Sequence, residues 1–190
     1  MRKDAQAGRD QADMKTLAEG DDQALNRLMD AWSQPLIAYL TRLVGNATSA
    51  GDLAQESFVR VYRHRFDFRA GQRFSTWLFT IATNLARNHL RWHSRHPEIL
   101  LPPENLGELA SQVSEETPEK QAVARERINS VQAAISELPT EMREALILSV
   151  WHEMSHAEIA RVQATSEKAV ELRVYRARKL LREKLEGQLG

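Results

Sequence analysis

Residues 52–92 read DLAQESFVRVYRHRFDFRAGQRFSTWLFTIATNLARNHLRW, and the spacing of their apolar side chains decides the fold class. Ala54, Phe58, Val61 and Tyr62 recur at i, i+4, i+7 and i+8, the period of a helix buried along one stripe. Asp52, Glu56, Arg60 and Arg63 fall on the opposite face, with Gln55 at its flank. After a short aromatic and basic connection the period resumes. Leu78, Ile81, Leu85 and Trp92 form a second stripe that is expected to be buried, and Trp77, Thr80, Asn84, Arg87 and Arg91 point the other way. A ring, an amide and two guanidiniums on one helix face suit unstacked bases and phosphates better than water.

Charge supports that reading. From Val59 to His96 there are eight arginines, no lysine and one acid, Asp67. Tyr62, Phe66, Phe68, Phe74, Trp77, Phe79 and Trp92 are interleaved with them. Basic residues beside exposed rings make a platform for single-stranded nucleic acid, where stacking contributes about 1–3 kcal/mol per base. The alternative is a solvated arginine face over an aromatic core, but such surfaces ordinarily mix both signs of charge. Trp77, at the edge of the polar face, is open to either role, stacking or core.

The stretches DLAQESFVRVYRH and FRAGQRFSTWLFTIATNLARNHLRW resemble the second conserved region of the extracytoplasmic-function sigma factors, small subunits of bacterial RNA polymerase. The resemblance implies that Asp52, Gln55, Glu56 and Phe58 dock on the clamp helices of core polymerase. It also implies that Phe68, Arg69, Phe74, Trp77 and Asn84 lie near a flipped base of the melted minus-ten element, with Arg87 and Arg91 extending the DNA-binding face. Ser49 and Asp52 also fit a capping box, so Asp52 has a structural reading that rivals docking, whereas Glu56 has none.

The chain as a whole sets the bounds. Its 190 residues suit one or two small domains. No apolar run approaches the roughly 20 residues that cross a bilayer, and the N-terminus lacks a signal-peptide core. With no cysteine there is no disulfide framework, thiol switch or thiolate metal site, which fits a cytoplasmic protein. Helical periodicity recurs while β-branched runs and turn dipeptides are scarce, so the expected class is all-α: two small helical domains joined by a linker, the second a helix-turn-helix. The net charge of +0 hides segregation. Lys and Arg against Asp and Glu number 6 to 9 over residues 1–58, 8 to 1 over 59–96, 1 to 6 over 97–120 and 11 to 10 over 121–190.

The first twenty residues are polar and read as a frayed start. Asp21 or Asp22 can cap a helix carrying Leu25, Leu28 and Met29, and Pro35 is expected to kink or restart it. Leu36, Ile37, Leu40, Leu43 and Val44 supply the next stripe, completing a first domain over residues 10–95. Residues 96–118, acidic and holding four prolines, read as a linker. Thr117-Pro118-Glu119 is a helix start, opening a second domain over 119–188 whose first helix stops before Pro139. A helix with Met142, Ala145, Leu146, Leu148, Ser149 and Trp151 follows.

SHAEIARVQATSEKAVELRVYRARKLLREKL then gives a helix, a turn near residues 163–165 and a basic helix, the helix-turn-helix pattern. Val170, Val174, Ala177 and Leu181 are expected inward; Lys168, Glu171, Leu172, Tyr175, Lys179 and Arg182 outward, with Arg176 and Arg178 at the edges. This segment resembles the fourth conserved region of sigma factors, which implies a helix reading the minus-thirty-five element in the major groove. Alanine stands at position 164, where that turn usually has glycine. Arg176 is then the candidate for a guanine contact, and Lys168, Lys179 and Arg182 for phosphate. Glu171 either accepts from a cytosine amino group or only favours the helix N-terminus, and Leu172 touches either a thymine methyl or a partner protein.

His152-Glu153-Met154-Ser155-His156 matches the H-E-x-x-H zinc signature. Zinc chemistry needs both histidines on one helix, yet Ser155 and Glu158 form a capping box that starts a helix between them. Zinc hydrolysis is therefore rejected, with no metal and no cofactor expected. The reading is a non-enzymatic sigma factor with core RNA polymerase and promoter DNA as partners, and by family analogy an anti-sigma protein. A free-standing helix-turn-helix regulator is the rival; it leaves residues 52–92 without a purpose.

Overall fold

Asn46 decides where the central helix begins. Its extended backbone and its side chain, which accepts from the Ser49 N–H at 2.7 Å, make it the N-cap of helix α3, Ala47–Arg63. A capping box from Ser49 to Asp52 is thereby corrected: the helix starts earlier than the sequence pattern suggests, and Asp52 lies exposed within it. In this computed structural model, which describes residues 2–96 and 128–188, every regular element of the described residues is helical.

The first lobe contains α1 (Arg2–Ala18), α2 (Gln23–Val44), α3, a 3-10 turn (Arg65–Asp67) and α4 (Phe74–Arg95). Instead of a frayed start, α1 is a full helix that buries Met14 and Leu17. Pro35 does not break α2. The helix buries Ala24 and Leu28 before the proline and Leu36, Tyr39, Leu40 and Leu43 after it, so packing on both sides outweighs the missing donor. Gly45, in the left-handed conformation, ends α2 by donating its N–H to the Thr41 carbonyl at 2.9 Å. The α3 stripe buries Ala54, Phe58 and Val61 and half-buries Tyr62; of the expected α4 stripe Leu78 and Leu85 are buried and Ile81 is half-buried, with Ala82 buried beside them. Trp92 is the exception. At 46 % exposure it lies past the core and stacks on His96 rather than on α2.

The second lobe begins with helical residues 128–136, here α5, followed by α6 (Thr140–Val150), α7 (His156–Gln163) and α8 (Glu167–Gln188). The expected helix start at Thr117 and the linker beyond His96 lie outside the described residues. Ser155 caps α7 with both halves of the capping box present, and Glu153 has a positive φ of 48°. His152 and His156 therefore belong to different segments, and the zinc-helix register is broken. Ala164 takes the left-handed turn conformation (φ 51°, ψ 51°) that glycine usually supplies, and the Thr165 N–H closes the turn on the Ala160 carbonyl at 2.9 Å.

The two lobes share one core: α2 packs on α6 and α4 on α7. Across the seam, Arg143 Nη1 donates to the Leu43 carbonyl at 2.8 Å. The His152 ring lies 4.7 Å from Phe79 and 5.7 Å from Tyr39, centroid to centroid.

Candidate nucleic-acid interface

Three surfaces carry the residues that the sequence singles out. The first is the outer face of α3. Asp52, Gln55 and Arg63 are exposed, and Glu56 is half-buried and ion-paired with Arg60, Oε1 to Nε at 2.9 Å. Phe58 is 3 % exposed and belongs to the core; it shapes this face from beneath and offers no ring to a partner. Val59, 41 % exposed, fills the centre of the face. It was legible as the residue three and four positions after Glu56 and Gln55, a spacing that puts all three on one side of the helix.

The second surface is the turn after α3 together with the polar side of α4. Gly71 holds a positive φ of 82° that lets the loop fold back before α4. Phe68 and Trp77 are half-buried and lie 5.3 Å apart, each 6.3 Å from Phe74. Phe74 itself is buried, so it supports the pair and is unavailable to a base. Arg69, Asn84 and Arg91 are exposed, and Arg91 is steadied by Asn88. The sequence reading passed over Phe66 as a site residue. It is 69 % exposed, and the Arg65 guanidinium lies between its ring and that of Tyr62, 4.4 Å from each.

Arg87 behaves differently from its neighbours on this face. It turns to the second lobe and grips Glu144 with two hydrogen bonds, Nε to Oε1 at 2.7 Å and Nη2 to Oε2 at 2.6 Å. Glu144 is fully buried, and Gln163 Nε2 donates to the same carboxylate at 2.8 Å. The bond to Glu144 holds the Arg87 guanidinium above its ordinary pKa. Nearby, burial and the negative charge of Glu144 push the Tyr39 phenol up, and its hydroxyl is bonded to Thr83 Oγ1 at 2.7 Å.

The third surface is the outward side of α8, where Lys168, Glu171, Leu172, Tyr175, Arg176, Lys179 and Arg182 are all exposed. Lys168 pairs with Glu171 at 2.9 Å and holds that carboxyl below its ordinary pKa. Lys179 lies 3.8 Å from Glu183, whereas Arg176 has no ion-pair partner among the described residues. Inward, Arg173 Nη1 donates to Gln163 Oε1 at 2.9 Å and its other terminal nitrogen pairs with Glu141, tying α8 to α7 and α6. The arrangement sets the open outward side of α8 in the same molecule as a basic, ring-bearing face of a different helix pair.

Comparison with known proteins agrees with this geometry. Residues 28–96 match the family model for sigma-70 region 2, and residues 128–181 match that for sigma-70 region 4. The ECF RNA polymerase sigma factor SigW of Bacillus subtilis is 32 % identical over 178 residues, covering 90 % of this chain and 94 % of its own. The RNA polymerase sigma-H factor of Pseudomonas aeruginosa is 30 % identical, covering 95 % of each. Among solved structures, CnrH in complex with the cytosolic domain of CnrY superposes with a TM-score of 0.72 at 25 % identity, over 94 % of this chain and 98 % of the other. The sigma factor RpoE of Bartonella quintana, solved with the anti-sigma factor NepR, gives 0.68 at 21 % identity over 85 % and 96 %, a likeness of fold. Matched by both regions in order and nearly end to end by its relatives, the chain belongs to the extracytoplasmic-function sigma factors of RNA polymerase.

Proposed function

We propose a division of labour among the three surfaces of this sigma factor. Asp52, Gln55 and Glu56, with Val59 at their centre, dock on core RNA polymerase. Phe68, Trp77 and Asn84, flanked by Arg69, Arg87 and Arg91, hold the unpaired minus-ten strand. The exposed side of α8 reads the minus-thirty-five element. The observation that supports this reading is the coexistence in one chain of a face bearing exposed arginines and the paired Phe68 and Trp77 rings, and a helix-turn-helix whose last helix has an open outward side. A free-standing regulator uses the helix and leaves the platform idle. Phe58 and Phe74 act from the core, holding the exposed residues in place.

The work is binding and strand capture, with no covalent step. No described helix is long and apolar enough to cross a membrane, in keeping with a cytoplasmic site of action beside polymerase. By analogy with CnrH and RpoE, both solved with bound partner proteins, an anti-sigma protein regulates the chain.

Run-off transcription with purified core polymerase over a promoter library tests the proposal. The expected result is transcription from a defined promoter set only when core and this protein are combined. Glu56→Arg should weaken core affinity about tenfold while the folded state loses only about 0.5–1 kcal/mol, from the lost Arg60 pair and the like charges set four residues apart. Tight, specific duplex binding by the protein alone, with no transcription on adding core, would favour the regulator.

A further inference from the structure

We propose that Arg87 and Glu144 form a latch that holds the free chain closed and withholds Arg87 from the single-strand face of α4 until the lobes part. The inference rests on the reading of α4 as the minus-ten face. Arg87 sits in the middle of that face, between Asn84 and Arg91, and its Nε and Nη2 edge, the fork that would grip a phosphate, is occupied by Glu144. Other contacts close the same seam: Arg143 on the Leu43 carbonyl, Arg73 Nη1 at 3.4 Å from Glu158, and the His152 ring against Tyr39 and Phe79. The seam takes one guanidinium from the single-strand face, since Asn84 and Arg91 beside Arg87 stay exposed, as do Leu172 and Tyr175 on α8.

Closure is incompatible with work on a promoter. Elements about 25 base pairs apart lie roughly 85 Å from each other along B-form DNA. A compact chain of 190 residues has a radius of gyration of about 16 Å and cannot reach both. The lobes must therefore separate, and Arg87 must leave Glu144. The surroundings make that release accessible. Gln163 remains bonded to the Glu144 carboxylate, and Arg173 stands behind Gln163, so the opened lobe keeps its buried charge partnered from within α7 and α8. Polymerase and melted DNA then act as ligands of the open form and shift a pre-existing equilibrium.

The chain has no cysteine, so dyes can be placed at will. Cysteines replacing exposed Asp30 on α2 and Glu186 on α8 report lobe separation by single-molecule energy transfer on the full chain, without polymerase. The expected result is one high-transfer population for the parent. In Glu144→Gln, which keeps the shape and removes the charge, the low-transfer fraction should rise about tenfold. Affinity for a single-stranded oligonucleotide carrying the minus-ten sequence should rise in step. Arg87→Gln should open the chain as Glu144→Gln does, and reversing the pair with Arg87→Glu and Glu144→Arg should close it again, which separates a latch from general unfolding. A parent already open, or transfer distributions unaltered by both single variants, overturns the latch. Opening without tighter oligonucleotide binding overturns the withholding. Run-off transcription reports separately on the sigma reading, since the transfer measurement contains neither polymerase nor DNA.

Discussion

Asp10 is a carboxylate almost fully removed from water on a helix that otherwise reads as solvent-loving. Its Oδ1 accepts from Gln6 Nε2 at 2.7 Å and from Trp32 Nε1 at 3.1 Å, and burial nevertheless pushes its pKa above the ordinary 3.8. The folded chain thus binds this proton more tightly than the unfolded one. The stabilising share of this group is full below 3.8 and is lost as pH rises through the raised value. Asp10→Asn keeps an acceptor oxygen for both donors and removes the buried charge. Thermal melts at pH 7 should show the variant a few degrees more stable, the shift that about 1 kcal/mol gives a chain of this size. The gain should vanish in melts below pH 4, and a variant less stable at pH 7 would show that the charge itself is needed. Nothing in the sequence pointed to Asp10, because its burial depends on Trp32, 22 residues away.

At the scale of elements, the sequence was most legible where a helix carries a full apolar stripe. The stripes of α3, α4 and the inward side of α8 were read from spacing alone. It was least legible in α1, where two buried apolar residues in seventeen leave no stripe to find. Pro35 misled because propensity is local, while the force holding α2 straight is the burial of both its halves.

Trp77 has a geometry that allows both stacking and core packing. Half-buried against Phe68 and Phe74, it is both packed and presented. Trp77→Ala should therefore cost about 2 kcal/mol of stability, less than a fully buried ring. It should also slow promoter melting, followed by permanganate footprinting, more than closed-complex formation. Full melting rates at an equal stability loss would make Trp77 core alone. On α8, Arg176 has no described ion-pair partner while Lys179 leans toward Glu183. Selection of minus-thirty-five sequences should show Arg176→Ala relaxing one base pair by about 1–3 kcal/mol. Lys179→Ala should weaken all sequences alike and lower the salt slope by about one. Unchanged base preference in Arg176→Ala removes it from the reading helix.

The whole molecule holds the part that one-dimensional reading could not reach. Arg87 and Glu144 each fit a polar helix face by period, and 57 residues separate them. Only the docking of α4 on α7 and of α2 on α6 turns the first into a clamp and the second into a buried anion. The same docking brings His152, refused as a metal ligand, into a cleft between two rings of the other lobe. That cleft has a magnetic consequence. Circulating π-electrons of Phe79 and Tyr39 displace the resonances of the carbon-bound protons of His152 from those of an imidazole in water. Among the six histidines its signal, assigned through His152→Gln, becomes a label-free gauge of lobe contact. In proton NMR spectra of the free chain it should stand apart. In Glu144→Gln it should drift toward the position of a solvent-exposed histidine, and a resonance that stays fixed there would mean the rings had never parted.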